Sequence, residues 1–265
     1  MTAVRIMGII NVTPDSFSDG GCYQDEISIV TQADALIAAG ADILDVGGES
    51  TRPFSRPVSE KEELRRVIPA IQAIRRKYSL PISIDTSKAE VARQALMAGA
   101  DMINDISALR SDPAMIELLC NTDVPVVIMH MQGTPGDMQV EPVYHDVVGE
   151  ILDFFRERLL WLQDQGIERR RIIIDPGIGF GKTLHHNLLI LKNLSSFSAL
   201  GQPLLLGHSR KRFLGEIIDR PVEQRDLATA VVSALAVVNG VSIVRVHDVF
   251  SSWQAIQIAE AIGAA

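Results

Sequence analysis

Cysteine and aromatic residues are scarce in this 265-residue sequence, and cationic residues are outnumbered by acidic ones. The two cysteines, Cys22 and Cys120, lie far apart and form no C-x-x-C pair, which argues against a zinc knuckle, a redox motif and a disulfide framework. A formal net charge of −8 argues against a nucleic-acid surface. Any anion-binding site must therefore be a local cluster of cations.

Long apolar runs and linker-like stretches are also missing. No run reaches the roughly 18 apolar residues of a membrane span, and the opening residues MTAVRIMGIINV show no signal-peptide cleavage site. We therefore expect a cytoplasmic protein that binds neither membrane nor nucleic acid. Because no segment is rich in Pro, Ser and Gly, we also expect one domain over residues 1–265.

Short apolar, β-branched segments alternate with longer amphipathic ones along the whole chain. Eight such units average roughly 33 residues, the size of a βα repeat, and this alternation indicates a parallel sheet. We predict an α/β fold, a (β/α)8 TIM barrel in a single domain, with a doubly wound open sheet as the alternative. The predicted strands are Arg5–Val12, Ile43–Gly47, Pro81–Asp85, Met102–Ile106, Pro125–His130, Arg171–Asp175, Pro203–Gly207 and Ser242–His247.

Amphipathic patterns and capping residues predict the helices. Ser59 and Glu62 have the spacing of a capping box, and Asp112 followed by Pro113 is typical of a helix start. The predicted helices include Glu60–Lys77, Lys88–Gly99, Tyr144–Gly166, Leu227–Asn239 and Ser252–Ile262.

Polar side chains stand at the carboxyl ends of the predicted strands. Asp85 and Asp175 end two of them, Asn104 lies near the end of a third, and each precedes its helix by several residues. Any one of these could equally be a helix cap or a turn residue. The carboxyl ends of all barrel strands meet at one mouth, where the active site lies. Because unpaired buried carboxylates are costly, the three together predict a ligand rich in N–H donors.

A run of cations follows the seventh predicted strand. Arg210, Lys211 and Arg212 are consecutive, and the eighth strand carries Arg245 and His247 next to them around the ring. A run of this kind is usually a solvated surface. Its position at the mouth favours the local anion site that the acidic net charge requires.

The glycine-rich segment DPGIGFGKT is not a nucleotide-binding loop. Its spacing fits neither the P-loop nor the G-x-G-x-x-G fingerprint, in which Lys182 would replace the third glycine. We expect the glycines to let the backbone pass close to a flat ligand beside Asp175. The sequence also lacks H-E-x-x-H and G-x-S-x-G motifs, so it favours positioning and electrostatic stabilisation over covalent catalysis.

In combination, these segments resemble the dihydropteroate synthase family of pterin-binding barrels over essentially the whole length. The resemblance implies an enzyme that joins 4-aminobenzoate to (7,8-dihydropterin-6-yl)methyl diphosphate and releases diphosphate. The segments that carry it are MGIINVTPDSFSDGG, GADILDVGGESTRP, ISIDTSKAEVARQALMAGADMINDIS, VVIMHMQGTPGDMQ, IIIDPGIGFGK, GHSRKRFLG and VRVHDV.

The resemblance also implies roles for individual residues at the pterin end. Asp85, Asn104 and Asp175 would hold the pterin, and Lys211 would contact its carbonyl or a ring nitrogen. The implied catalytic residues are Asp85, Lys211 and Arg52.

At the diphosphate and aminobenzoate ends, the implied partners come from other loops. Asn11 would bind Mg²⁺ and the diphosphate, while Arg245 and His247 would bind diphosphate oxygens. Phe180 and Lys211 would flank the aminobenzoate. The loops that would close over this second substrate contain Thr51, Arg52, Pro53 and the 15–17 segment.

Two positions depart from the family pattern, and two other functions stay open. Arg212 stands where the family commonly has Ser or Thr, and Phe54 where a glycine is usual, which bears on the aminobenzoate contacts.

A pterin-binding methyltransferase of the same barrel family is the first alternative. A catalytically silent pterin-binding homologue is the second, although such a protein would be expected to lose Lys211, Asn11 or Asp85. The family resemblance further implies a homodimer built away from the mouth.

Overall fold

The chain folds as eight strand–helix units, as the alternation predicts. The computed structural model describes residues 3–13, 22–51, 55, 57–134 and 136–265. Every strand lies within one residue of its predicted bounds except the seventh, which is shorter. The strands are β1 (Arg5–Asn11), β2 (Ile43–Gly47), β3 (Ile82–Asp85), β4 (Met102–Asp105), β5 (Val126–Met129), β6 (Ile172–Asp175), β7 (Leu205–Leu206) and β8 (Ile243–Val246).

Helices separate the strands and surround them. Ser59 accepts a hydrogen bond from the Glu62 N–H and starts the second helix. The Glu62 carboxylate pairs with Arg65 and Arg66 instead of completing the predicted capping box. The helices are α1 (Cys22–Ala38), α2 (Glu60–Lys77), α3 (Ala89–Ala98), α4 (Ala114–Cys120), α5 (Val147–Asp164), α6 (Leu184–Lys192), α7 (Arg212–Ile218), α8 (Asp226–Val238) and α9 (Val249–Ala264).

The eight strands close into a barrel. All pairings are parallel, and the order is β6-β5-β4-β3-β2-β1-β8-β7. The two ends of this order meet through a parallel bridge between Ile174 and Leu204, where the Ile174 N–H donates to the Pro203 carbonyl at 3.0 Å. An open doubly wound sheet has no such junction. The (β/α)8 prediction is therefore confirmed.

Alternate residues of each strand face the barrel interior, and their character changes towards the carboxyl ends. A buried apolar cluster forms a floor, made of Met7, Ile43, Met102, Val127, Ile173, Leu205 and Ile243. The next inward-facing residues on five strands are polar or charged, namely Asp45, Asp85, Asn104, Asp175 and Arg245. The fold thus places a polar level directly above an apolar floor, at the mouth where barrel enzymes bind substrate.

The outward faces of the strands form the second core, which packs against the helices. Ile6 and Ile10 of β1 and Ile84 of β3 belong to it, together with Ile71 and Ile74 of α2. This cluster continues around the barrel as one core. Within the part of the chain that the structure describes, no helix is both long and apolar enough to cross a membrane.

Candidate active site

Arg245 of β8 bridges two carboxylates at the mouth of the barrel. Its Nε donates to Asp45 Oδ2 at 2.5 Å and its Nη2 donates to Asp85 Oδ2 at 2.6 Å. The Asn104 Nδ2 donates to the same Asp45 oxygen at 3.4 Å. Because the Asn104 NH2 group is engaged by Asp45, the Asn104 side-chain carbonyl oxygen is left to serve as a hydrogen-bond acceptor for a ligand.

The charges of this group are set by competition between burial and pairing. Burial raises the pKa of Asp85 to about 7, while the Arg245 guanidinium opposes that rise. The two neighbouring carboxylates raise the pKa of Arg245, although its own burial acts in the opposite direction. A carboxylate that titrates near neutral pH in a cleft is typical of a functional site.

Asp175, Lys211 and Phe180 form the opposite wall of the mouth. Asp175 Oδ1 accepts a hydrogen bond from the Gly177 N–H at 2.8 Å. Lys211 Nζ donates to the Ile178 carbonyl at 2.6 Å and lies 3.8 Å from the centre of the Phe180 ring. Burial lowers the pKa of Lys211 to about 7 and raises the pKa of Asp175. An ammonium over an aromatic face is a cation–π contact that a second aromatic ring can extend.

His247 lies beyond the end of β8 and is held by the loop after β7. Ser209 Oγ is 2.9 Å from His247 Nδ1, and it also accepts a hydrogen bond from the His247 N–H at 3.1 Å. This pairing orients the imidazole at the same rim of the barrel as Arg245.

The predicted cluster of three cations after β7 is wrong in two of its members. Arg210 makes a two-point ion pair with Asp226, and its backbone lies in the left-handed region with a φ of 56°. Arg212 begins α7 and pairs with Glu216 on the exposed surface. Lys211 is therefore the member of this run that reaches the mouth. Arg210 and Arg212 are held by acidic partners outside it.

The glycine-rich loop after β6 packs closely against the loop after β5, and its approach to a flat ligand stays a prediction. Gly177 has a φ of 71°, and a Cβ there would lie 1.9 Å from the His130 carbonyl oxygen. Gly181 has a φ of 61°, and a Cβ would lie 2.5 Å from the Gln132 carbonyl oxygen. The glycines thus allow the loops after β5 and β6 to touch.

We expect Gly177→Ala to lower the free energy of unfolding by about 3 kcal/mol, since it adds left-handed strain to a clash with backbone. Gly201→Ala is the matched control, because its φ of 69° is similar but nothing lies within 4 Å of the added Cβ. The control should lose about 1 kcal/mol. Urea unfolding of both variants gives the comparison, and equal losses would contradict the packing argument.

Sequence reasoning missed three residues that organise this site. Asp45 is fully buried and holds Arg245, and its inward position follows from alternation with Ile43 on β2, which was the available signal. Lys182 and His130 are buried together, with Lys182 Nζ 3.1 Å from His130 Nδ1. Nothing in the local sequence indicates that pairing, because the two residues are 52 positions apart.

The remaining predicted residues divide between described and undescribed parts of the chain. Asn11 is half-buried at the end of β1, and Thr51 is half-buried in the loop after β2. Arg52, Pro53, Phe54 and the 15–17 segment lie outside the described residues. The described members of the predicted pterin set (Asp85, Asn104, Asp175 and Lys211) are all at the mouth, together with Phe180, Arg245 and His247.

Comparison with known proteins identifies the family. A family model described as pterin binding enzyme matches residues 7–247, which is most of the chain. The chain belongs to the pterin binding enzyme family. The predicted family is therefore confirmed.

Curated members of the family similar to this chain share one name. The dihydropteroate synthase of Synechocystis sp. is 45% identical over 258 residues, covering 97% of this chain and 89% of the relative. That of Escherichia coli (strain K12) is 44% identical over 257 residues, covering 97% and 91%.

Solved structures of family members match the whole barrel. The Yersinia pestis dihydropteroate synthase, solved with a sulfonamide drug complex, has a TM-score of 0.94 at 42% identity and covers 100% of this chain and 96% of that one. The Xanthomonas albilineans enzyme with 4-aminobenzoic acid has a TM-score of 0.93 at 45% identity, with 100% and 94% covered. The same enzyme with 7,8-dihydropteroate gives 0.90 at 43% identity, with 100% and 95% covered.

Proposed function

We propose that this protein is a cytoplasmic dihydropteroate synthase, which condenses (7,8-dihydropterin-6-yl)methyl diphosphate with 4-aminobenzoate to give 7,8-dihydropteroate and diphosphate. The observation that carries the proposal is the polar level of the barrel mouth. Hydrogen-bond acceptors on β3, β4 and β6 face a cationic side formed by Lys211 and Arg245. That polarity suits a substrate with a donor-rich ring at one end and a diphosphate at the other.

Asp85, Asn104 and Asp175 are proposed to bind the pterin. The aminopyrimidinone ring presents several N–H donors, and these three side chains supply two carboxylates and one amide carbonyl at the ends of β3, β4 and β6. Asp45 supports the set from below, since it fixes both Asn104 and Arg245. Lys211 is proposed to donate to the pterin carbonyl or a ring nitrogen.

The aminobenzoate is proposed to bind beside Phe180 and Lys211. Phe180 belongs to a buried apolar cluster with Met129, Met131 and Met138, which offers a surface for an aryl ring. Thr51, Arg52 and Pro53 of the loop after β2 are proposed to contact this substrate and cover it. Closure of such a loop excludes water and strengthens the charge interactions within.

Arg245 and His247 are proposed to bind diphosphate oxygens at the rim of the mouth, and Asn11 is proposed to hold Mg²⁺ there. Among the described residues, no group of three or more His, Cys, Asp or Glu side chains could hold a metal. One protein oxygen from Asn11 nevertheless suits Mg²⁺, which keeps several waters and binds mainly through substrate phosphates. The ion would neutralise charge on the departing diphosphate.

We infer that the reaction is dissociative. The C–O bond to diphosphate breaks and the diphosphate takes the electron pair, leaving a pterin methylene cation. The Asp85 carboxylate lowers the energy of this cation through the ring, because negative charge placed in advance costs no reorganisation. The amine nitrogen of 4-aminobenzoate then forms the C–N bond with its lone pair, and its extra proton passes to solvent.

One incubation tests the proposed function. Purified protein with both substrates and Mg²⁺ is expected to release dihydropteroate and diphosphate in equal amounts, and a chelator is expected to slow the reaction. Absence of product from folded protein would rule the assignment out. Methyl transfer to a corrinoid acceptor without dihydropteroate would indicate the methyltransferase alternative. An unchanged rate with chelator would contradict the Mg²⁺ proposal alone.

We also propose a homodimer that pairs through α8 and α9, away from the mouth. Exposed apolar side chains line α8 at helical spacing, including Leu227 (77% exposed), Val231, Leu235 and Val238 (71% exposed). An exposed apolar stripe of this length is typical of an interaction surface. Light scattering is expected to give twice the 29.0 kDa chain mass, and Leu235→Glu should give monomer. A wild-type mass of one chain would contradict this proposal.

A further inference from the structure

Lys182 is a buried cation that none of the proposed substrate contacts uses. It is 3% exposed, and its ammonium group has three acceptors around it. Nζ donates to the Phe180 carbonyl at 2.9 Å and to the His130 carbonyl at 3.3 Å, and it lies 3.1 Å from His130 Nδ1. Burial lowers the pKa of Lys182 to about 7, and in the protonated form its three N–H donors meet these three acceptors and leave none for substrate.

His130 is a rigid anchor for this lysine. Burial lowers the pKa of its imidazole to about 2, with the Lys182 charge adding to the effect, so the ring is neutral. Its Nδ1 therefore accepts the Lys182 hydrogen bond and its Nε2 carries the proton. The ring packs edge-on against Phe154, with the ring centres 5.0 Å apart. The end of β5 thus presents two fixed acceptors to the loop after β6.

The hydrogen bonds of Lys182 tether His130 to the main chain of Phe180, whose ring forms the aromatic platform of the site. The Phe180 carbonyl accepts from Lys182, while the Phe180 ring lies under the Lys211 ammonium. On the same loop, the Ile178 carbonyl accepts from Lys211, and Asn187 Oδ1 accepts from the Gly179 N–H at 2.8 Å. A displacement of this loop would therefore disturb the contact between the Phe180 ring and the Lys211 ammonium, which is carried by the loop after β7.

We propose that Lys182 is a positioning residue for the aryl amine, acting through its tether between His130 and the Phe180 carbonyl. The proposal rests on the assigned synthase reaction. The tether sets the distance between the Phe180 ring and Lys211, and therefore the place that 4-aminobenzoate occupies. Two of the proposed pterin contacts, Asp85 and Asn104, lie on β3 and β4 outside this loop, while Asp175 and Lys211 adjoin it. The tether therefore acts more strongly on 4-aminobenzoate than on the pterin.

Lys182→Met tests the tether, because methionine has a similar length and no donor. We expect the KM for 4-aminobenzoate to rise about tenfold and the KM for the pterin diphosphate to rise by less than about threefold, because the displaced Phe180 ring contacts only the aminobenzoate. His130→Phe keeps an aromatic ring and removes the Nδ1 acceptor, and it should produce the same selective rise. In the double variant the KM for 4-aminobenzoate should rise no further, since both substitutions break the same contact between Lys182 and His130. Lys61→Met, on the exposed face of α2, is the matched control and should change neither KM.

Equal rises in both KM values, or none, would overturn the proposal, because loss of a merely structural lysine would not change the two KM values differently. Crystal structures of wild type and Lys182→Met give a readout that needs no turnover. The distance from Lys211 Nζ to the Phe180 ring centre is expected to exceed the 3.8 Å of the wild type, and an unchanged distance would contradict the tether. Wild-type protein without synthase activity would refute the assigned reaction, while this distance still decides the tether.

Discussion

Lys211→Met is expected to lower kcat/KM for the pterin diphosphate by about two to three orders of magnitude, the loss typical when one preorganised donor is removed. The Lys211 ammonium lies between the Phe180 ring and the Ile178 carbonyl, so it is fixed before substrate arrives. Methionine keeps the volume and the contact with the ring but removes the charge. Steady-state kinetics of the variant give the measurement.

The neighbouring Arg212 provides the control for Lys211. Arg212→Met removes the same charge one residue along the chain, from an exposed side chain paired with Glu216. It should change kcat/KM by less than about twofold, because exposed ion pairs contribute little. Thermal unfolding should show both variants folded. A large loss of kcat/KM in Arg212→Met with none in Lys211→Met would show that Arg212, and not Lys211, is the functional cation.

Asp85→Asn is expected to lower kcat/KM by about two orders of magnitude, because a charge-assisted hydrogen bond is replaced by a neutral one. The same change removes one partner of Arg245, which keeps Asp45. The amide has nearly the shape of the carboxylate, so the loss reports charge rather than packing. Kinetics at fixed pH, with Asp85→Ala as the variant that also loses shape, measure it.

The pH dependence of Asp85 follows from its raised pKa of about 7. The carboxylate must be ionised to pair with the pterin N–H donors, so kcat/KM falls as pH drops below about 7 in the wild type. Lys211 has its pKa lowered to about 7, so its ammonium is lost as pH rises above that value. The two groups together predict a narrow bell whose apparent pKa values belong to the coupled pair. In Asp85→Asn the acidic limb should shrink or disappear, and an unchanged limb would assign it to another group.

The sequence predicts the barrel well because each of its signals is local. Strands such as Ile82–Asp85 and Met102–Asp105 are short apolar runs that end in a polar residue, and they fold within one residue of the predicted bounds. The seventh strand is the exception. Pro203 has no N–H to donate, and it instead contributes its carbonyl to the junction with Ile174.

The site is predicted less completely because several of its contacts join distant parts of the chain. The carboxylates at Asp85 and Asp175 are visible as strand ends, but the fate of Arg210 depends on Asp226, 16 residues away. The contact between Gly177 and the His130 carbonyl joins two loops that are distant in the sequence, so local pattern cannot predict it. Tertiary partners decide which of several neighbouring polar residues turns inwards.

The apolar floor beneath the polar level has an evolutionary consequence. One step of two residues, about 7 Å along a strand, separates side chains that hold the barrel together, such as Met102 and Ile173, from those proposed to meet the ligand, such as Asn104 and Asp175. Inherited changes above this boundary alter chemistry while the scaffold persists, and changes below it alter the scaffold while the chemistry is kept. A lineage that carries this barrel can therefore acquire a new reaction by substitutions at the rim without first becoming unstable.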